Sequence, residues 1–167
     1  MNIELGKNIN PREIETKIQE FWDNNSFWNN DVKSDKPAFC IMMPPPNVTG
    51  SLHMGHAMNN VLTDIICRYK RMSGFDVLWQ PGTDHASIAT QLLVERDLSK
   101  RGINPHALSL QEKLDYAWAW KADKGGQIMN QLHILGVTPV WNRERFTMDA
   151  GLSSAVTKLF VKMYNEG

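Results

Sequence analysis

The sequence predicts an α/β protein built on a parallel sheet, and two stretches predict it. The apolar run Phe39–Met43 reads as a buried strand, stops at Pro44-Pro45-Pro46, and passes through a polar loop into a helical pattern opened by His53-Met54-Gly55-His56. The run Phe75–Gln80 repeats the plan: it ends at Pro81-Gly82 and leads through Thr83-Asp84-His85 into a second helical pattern. Proline cannot donate to a sheet ladder, so each strand stops where its prolines stand. Strand–helix–strand–helix with short links predicts parallel strands and a crossover connection.

The elements follow in order. Asn10-Pro11-Arg12-Glu13 is a helix start, with a capping residue, Pro at the first helical position and Glu at the third. Ile14, Ile18, Phe21 and Trp22 line one face of that helix, Asn24-Asn25 ends it, and Phe27 and Trp28 pack the return. Residues 1–37 are read as a helical arm packed on a main domain of residues 38–167. From His53 to Met72, the residues Met54, Met58, Val61, Leu62, Ile65, Ile66 and Tyr69 recur at helical spacing. That face is expected to be buried, with Asn60, Asp64, Arg68 and Arg71 toward solvent. Gly74 suits the position after the helix. A further helix is expected over Ala86–Arg101, closed by Gly102. Leu110–Leu135 is helical in pattern, with Trp118, Trp120, Ile128, Leu132 and Leu135 as packing residues. Gly125-Gly126 within it implies either a break or a close approach. Trp141–Met148 reads as irregular, and Asp149 caps a last helix whose apolar face is Leu152, Val156, Leu159, Phe160 and Met163.

Composition narrows the class. With 42% hydrophobic residues in 167, the chain is globular and long enough for one core. Eighteen basic and eighteen acidic side chains cancel, so charge gives no global argument for a nucleic-acid binder, although a local basic face stays open. Cys40 and Cys67 both sit in apolar patterns and read as buried thiols, not a disulfide. The polar, charged N-terminal residues do not read as a signal peptide, and no apolar run approaches the ~20 residues of a membrane span. The expectation is a cytoplasmic protein with no membrane partner.

A strand, a tight loop and a helix N-terminus make an anion site, because free backbone N–H groups and the positive end of the helix dipole point there. His53 and His56 stand three apart on that first turn and can donate to phosphate oxygens. Gly55 between them leaves room for a flat ring or a backbone, and Gly50 allows a positive φ. The loop has neither GxxxxGK[ST] nor GxGxxG, which excludes a P-loop and argues against a dehydrogenase-type dinucleotide fold. The plainer alternative is that the two histidines merely cap or solvate the helix start. A metal site completed by a cysteine is disfavoured because paired CxxC spacing is missing, so no metal ligand is assigned. Asp84 follows the second strand, and its loop should lie beside residues 44–51, where parallel strands end together. Its carboxylate could hold an ammonium group, cap the helix starting near Ala86, or both.

Pro44–His56, reading PPPNVTGSLHMGH, together with DVLWQPGTDHA, resembles the valyl-tRNA synthetases, a family of class I aminoacyl-tRNA synthetases. His53-Met54-Gly55-His56 matches that class's HIGH motif, within a motif region of Pro46, Asn47, Val48, Thr49, Gly50, Ser51, Leu52, His53, Met54, Gly55 and His56. WAWKADKGGQIMNQL and WNRERFTMD look like the same family, and Gly82-Thr83-Asp84-His85 favours valine over the isoleucine and leucine sisters. The resemblance implies a Rossmann-like sheet of the HUP, class I synthetase kind. It implies activation of valine by ATP with Mg²⁺ to valyl-adenylate, transfer to tRNA(Val), and a monomer in the full-length enzyme. Carried over residue by residue, His53 and His56 would be catalytic and contact ATP phosphates. Asn47, Thr49, Gly50 and Gly55 would also bind ATP, with Gly55 against the adenine. Pro44 and Pro45 would wall the valine side chain, and Asn47 and Asp84 would orient its amino group.

Ser87 departs from the family, which usually has Gly there, and puts close backbone packing at that point in question. No KMSKS-like motif is present, nor the editing domain, tRNA-binding bundle or coiled coil of full-length relatives. The chain is therefore expected to be the first half of the catalytic fold, ending near the editing insertion, with an open sheet edge and uncovered helix faces. The alternatives are an inactive truncated paralogue serving as a nucleotide-binding or interaction module, or a sister isoleucyl- or leucyl-type enzyme.

Overall fold

The computed structural model describes residues 10–167; the reading of the first nine residues as a polar leader-free start lies outside the described residues. Helix α1 runs over Pro11–Asn25 with Asn10 at the N-cap. The Asn10 side chain donates to Glu13 Oε1 at 2.8 Å and leaves the helix's backbone N–H groups alone. No α1 residue is buried. The helix is attached by its edges: Gln19 Nε2 lies 3.0 Å from His133 Nδ1, and Trp22 and Trp28 flank the Arg68 guanidinium at 5.0 and 5.3 Å. Such cation–π contacts contribute about 0.5–2 kcal/mol each, depending on how far water is excluded.

Strand β1 (Ala38–Met42) pairs in parallel with β2 (Asp76–Gln80), from Ala38 opposite Asp76 to Met42 opposite Gln80. The expectation of a buried first strand is corrected. β1 alternates exposed and half-buried residues, Cys40 is exposed, and its second edge has no strand partner among the described residues. Beyond Pro81, β3 (Gly82–Thr83) pairs in parallel with β4 (Arg145–Phe146), an element inside the stretch expected to be irregular. The core lies under these strands: Met43, Val48, Val77 and Trp79 meet Cys67, Ile128, Leu132, Val137 and Phe146.

Helix α2 (Met54–Met72) turns the opposite way from its expected orientation. Met54, Ile65 and Tyr69 are 82%, 57% and 62% exposed, whereas Asn60, Asp64 and Cys67 are 2%, 7% and 0% exposed. The reason is a polar network. Asp64 Oδ1 accepts from Thr138 N at 2.9 Å and from Thr138 Oγ1 at 2.5 Å, while Asp64 Oδ2 receives Arg68 Nε at 2.6 Å. Arg68 Nη2 reaches the Gly136 carbonyl at 2.8 Å, and Arg71 donates to Thr138 Oγ1 and O at 2.7 and 2.9 Å. A buried carboxylate that accepts three such hydrogen bonds is satisfied, and it draws the polar face of the helix inward. The apolar stripe is left outward.

Helix α3 covers Ile88–Lys100 and α4 covers Leu110–Ile134 without a break at Gly125-Gly126. A Cβ at Gly125 would meet only Lys121 Cε at 3.9 Å, and one at Gly126 nothing within 4 Å, so neither a break nor a close approach explains the pair. Asp149 caps α5 (Ala150–Glu166), accepting from Leu152 N at 2.8 Å. The expected apolar face of α5 is likewise uncovered: Val156, Leu159, Phe160 and Met163 are all exposed. No helix among the described residues is long and apolar enough to cross a membrane.

Candidate active site

Three chain segments run side by side at the C-terminal ends of the strands. The backbone of residues 46–48 pairs with Asp84, through Asp84 N to Pro46 O at 2.8 Å and Val48 N to Asp84 O at 2.9 Å. On the other side, Thr147 N donates to Thr83 O at 3.1 Å. The aspartate loop thus lies beside the proline loop, as parallel strands require. Pro45 abuts the same point: a Cβ added to Gly82 would stand 4.0 Å from Pro45 Cβ and 2.9 Å from the Arg145 carbonyl oxygen. Only glycine fits there. Pro44, Pro45 and Asn47 are exposed at this edge, and Pro46 and Val48 are buried beneath it.

The histidines form a self-contained unit at the start of α2. His53 is the N-cap, and its Nδ1 accepts from Gly55 N at 3.1 Å. His56 Nδ1 accepts from His53 N at 3.2 Å, and the ring centroids are 3.9 Å apart. Both residues cap the helix, and capping fixes more than the helix. An imidazole that accepts at Nδ1 carries its proton on Nε2 in the neutral form, so each ring keeps an Nε2–H donor that has no protein acceptor among the described residues. Burial, and after it the nearby His53, push the His56 pKa below its usual value, which favours that neutral donor form. A Cβ at Gly55 would stand 2.9 Å from His53 Cε1, so a side chain there would push the His53 ring out of its capping position. Gly50 does not take the positive φ expected of it, and a Cβ there would meet nothing within 4 Å.

Two residues that hold this loop were read only as packing or not singled out. Trp120 Nε1 donates to Val48 O at 2.8 Å, and Gln131 Oε1 accepts from Leu52 N at 2.8 Å. Both come from α4 and brace the two ends of the segment Thr49–Ser51. Neither residue carries a local sequence signal for this, because the contact spans 72 positions for Trp120 and 79 for Gln131.

Asp84 Oδ1 accepts from Ala86 N at 3.0 Å, a local turn that precedes α3 and does not cap it. Ala86 and Ser87 both hold positive φ, 51° and 41°, and so α3 starts two residues later than the pattern suggested. Ser87, with ψ −112°, occupies a backbone region that glycine enters far more readily than serine. The difficulty at 87 is therefore the backbone angle and not close packing. Behind this loop an apolar cavity of about 280 Å³ opens between α3 and α4, lined by Val94, Leu98, Leu114, Trp118 and Phe146 and reaching His85. Among the described residues no group of three or more His, Cys, Asp or Glu is placed to hold a metal ion.

Known proteins match this chain in sequence and in fold. The model for class I tRNA synthetases (I, L, M and V) matches residues 17–167, and the chain belongs to that family. Among its relatives, the valine–tRNA ligase of Geobacter sulfurreducens is 52% identical over 98% of this chain, and that of Syntrophotalea carbinolica is 53% identical over all of it. The chain spans 18% and 19% of those two proteins' lengths. The fold is shared with an Agrobacterium radiobacter LeuRS, solved as a ternary complex with tRNA and LeuAMS, at a TM-score of 0.76 and 22% identity over 96% of this chain and 19% of the LeuRS.

Proposed function

We propose that this chain supplies the histidine-bearing wall of a valine–tRNA ligase active site, within the first half of a Rossmann-like catalytic domain that residues 10–37 buttress as an arm. The observation that carries the reading is the presence of two unlike subsites on neighbouring loops: uncommitted Nε2–H donors at the start of α2, and exposed Asn47, whose backbone pairs with Asp84. The first suits phosphate oxygens and the second suits an ammonium group. Identity near 50% to proteins named valine–tRNA ligase supports valine as the amino acid.

In the proposed reaction the valine carboxylate attacks the α-phosphorus of ATP, the acyl–phosphate bond forms, and the bond to pyrophosphate breaks. His53 and His56 donate to the phosphate oxygens as charge shifts onto them. Donors already held by the capping bonds need no reorganisation, which is the source of the rate gain. Asn47 and Asp84 hold the amino group, and Pro44 and Pro45 wall a side-chain pocket too small for larger residues. Thr49, Gly50 and Gly55 line the nucleotide side. Mg²⁺ enters with ATP, neutralising phosphate charge; no ligand for it is assigned in this chain. Transfer to tRNA(Val) in the cytoplasm follows, with tRNA contacts made largely by the remaining length seen in relatives. That length would also cover the open β1 edge and the apolar stripe of α2.

The test is valine-dependent pyrophosphate exchange by the full-length protein carrying this segment. With both His53→Ala and His56→Ala, exchange is expected to fall by about 10²-fold or more, the scale of losing preorganised donors. Exchange that persists at the parent rate removes the histidines from the mechanism.

A further inference from the structure

The geometry points to Thr147 and His85 as a positioning pair that orients Asp84 toward the ligand's ammonium group. Thr147 comes from the segment after β4, and its backbone is tied to Thr83. Its hydroxyl oxygen accepts from His85 N at 2.9 Å, lies 2.6 Å from His85 Nδ1, and lies 3.3 Å from Asp84 Oδ1. His85 Nδ1 is also 3.3 Å from Asp84 Oδ1. A hydroxyl has one proton and two lone pairs. The contacts close only one way: Thr147 donates its proton to Asp84, accepts the His85 backbone N–H, and accepts Nδ1–H from the ring. His85 therefore carries its proton on Nδ1, the opposite tautomer from His53 and His56.

The consequence falls on the carboxylate. Ala86 N–H and the Thr147 hydroxyl both donate to Oδ1, and the His85 ring, held by Thr147, lies against the same oxygen. Oδ2 accepts from no protein donor among the described residues and is the oxygen left for a cationic ligand. Fixing one oxygen with two donors restrains the carboxylate, so an arriving ammonium meets a preorganised acceptor with less ordering to do. Thr147 and His85 touch the ligand only through Asp84.

This inference rests on the reading of Asp84 as the ammonium partner, and the test separates the two. Pyrophosphate exchange is measured in the full-length protein for Thr147→Val, Thr147→Ser and Asp84→Asn, with KM for valine and for ATP determined separately. Thr147→Val keeps the shape and removes the hydroxyl. It is expected to raise KM for valine about tenfold, the loss of one hydrogen bond to a charged group, with KM for ATP unchanged. Thr147→Ser should restore the parent value, and Thr147→Val should add little in an Asp84→Asn background. If Asp84→Asn raises KM for valine but Thr147→Val does not, or if Thr147→Val raises both KM values alike, the positioning role is wrong and the reading of Asp84 stands. If Asp84→Asn itself leaves KM for valine unchanged, the ammonium site is elsewhere and the inference falls with it.

Discussion

The histidine loop and the aspartate loop lie next to each other and are built in opposite ways. His53 and His56 are fixed by each other and by backbone groups two and three residues away, so their geometry is local. Asp84 is held by backbone pairing to residues 46–48 on one side and by Thr147, 63 positions on, at its side chain. Its own backbone continues into two positive-φ residues. One unit is stiff because a helix start makes it so; the other is stiff because distant segments converge on it. A local unit should survive damage elsewhere, and a convergent one should not.

Substitutions can break that contrast. The largest effect is expected from Gly82→Ala, whose Cβ would meet the Arg145 carbonyl oxygen at 2.9 Å. Overpacking against backbone costs about 1–3 kcal/mol. The variant should melt earlier and lose affinity for valine more than for ATP, as read by thermal melting and exchange kinetics. Equal loss for both substrates would show that the two loops move as one. Ser87→Gly is expected to act in the opposite direction, relieving a strained angle and raising stability by about 1 kcal/mol in denaturant melts. No gain would mean that Ser87 is not strained.

The smallest expected effect concerns pH. The folded chain holds the His56 pKa below its ordinary 6.5, through burial first and His53 second. Below that value the unfolded chain binds the proton more readily than the folded one, so stability contributed at this site is complete above about pH 6.5 and is lost as pH falls further. Replacing His56 by Gln should flatten that part of the stability–pH curve, and an unchanged slope would assign it to another group. Cys67 offers no competing signal near neutrality, because burial pushes its thiol up to about 11.

The same division separates what the sequence made legible from what it did not. The prolines at 44–46 and 81 marked both strand ends, and the cap at His53 was visible because its partners are neighbours. The orientation of α2 was read backwards. Asn60, Asp64 and Arg68 are polar and look solvent-facing, but the group that buries Asp64 is Thr138, 74 positions away. The apolar stripe on the other side was sound as a pattern and is left uncovered among the described residues. Trp120, Gln131 and Thr147 gave no signal for the same reason: each acts on a loop that only the fold brings near. At Ser87 the family's usual glycine was a signal, but it pointed to close packing when the backbone there holds a positive φ.

The most direct test of the two-subsite account compares His53→Ala with Asp84→Asn in steady-state pyrophosphate exchange by the full-length protein, varying valine and ATP independently. The account predicts a clean split. Asp84→Asn should raise KM for valine and leave KM for ATP near the parent value. His53→Ala should lower kcat or raise KM for ATP and leave KM for valine near the parent value. If both variants shift the same parameter, or neither shifts any, the division of this face into a phosphate side and an ammonium side is contradicted.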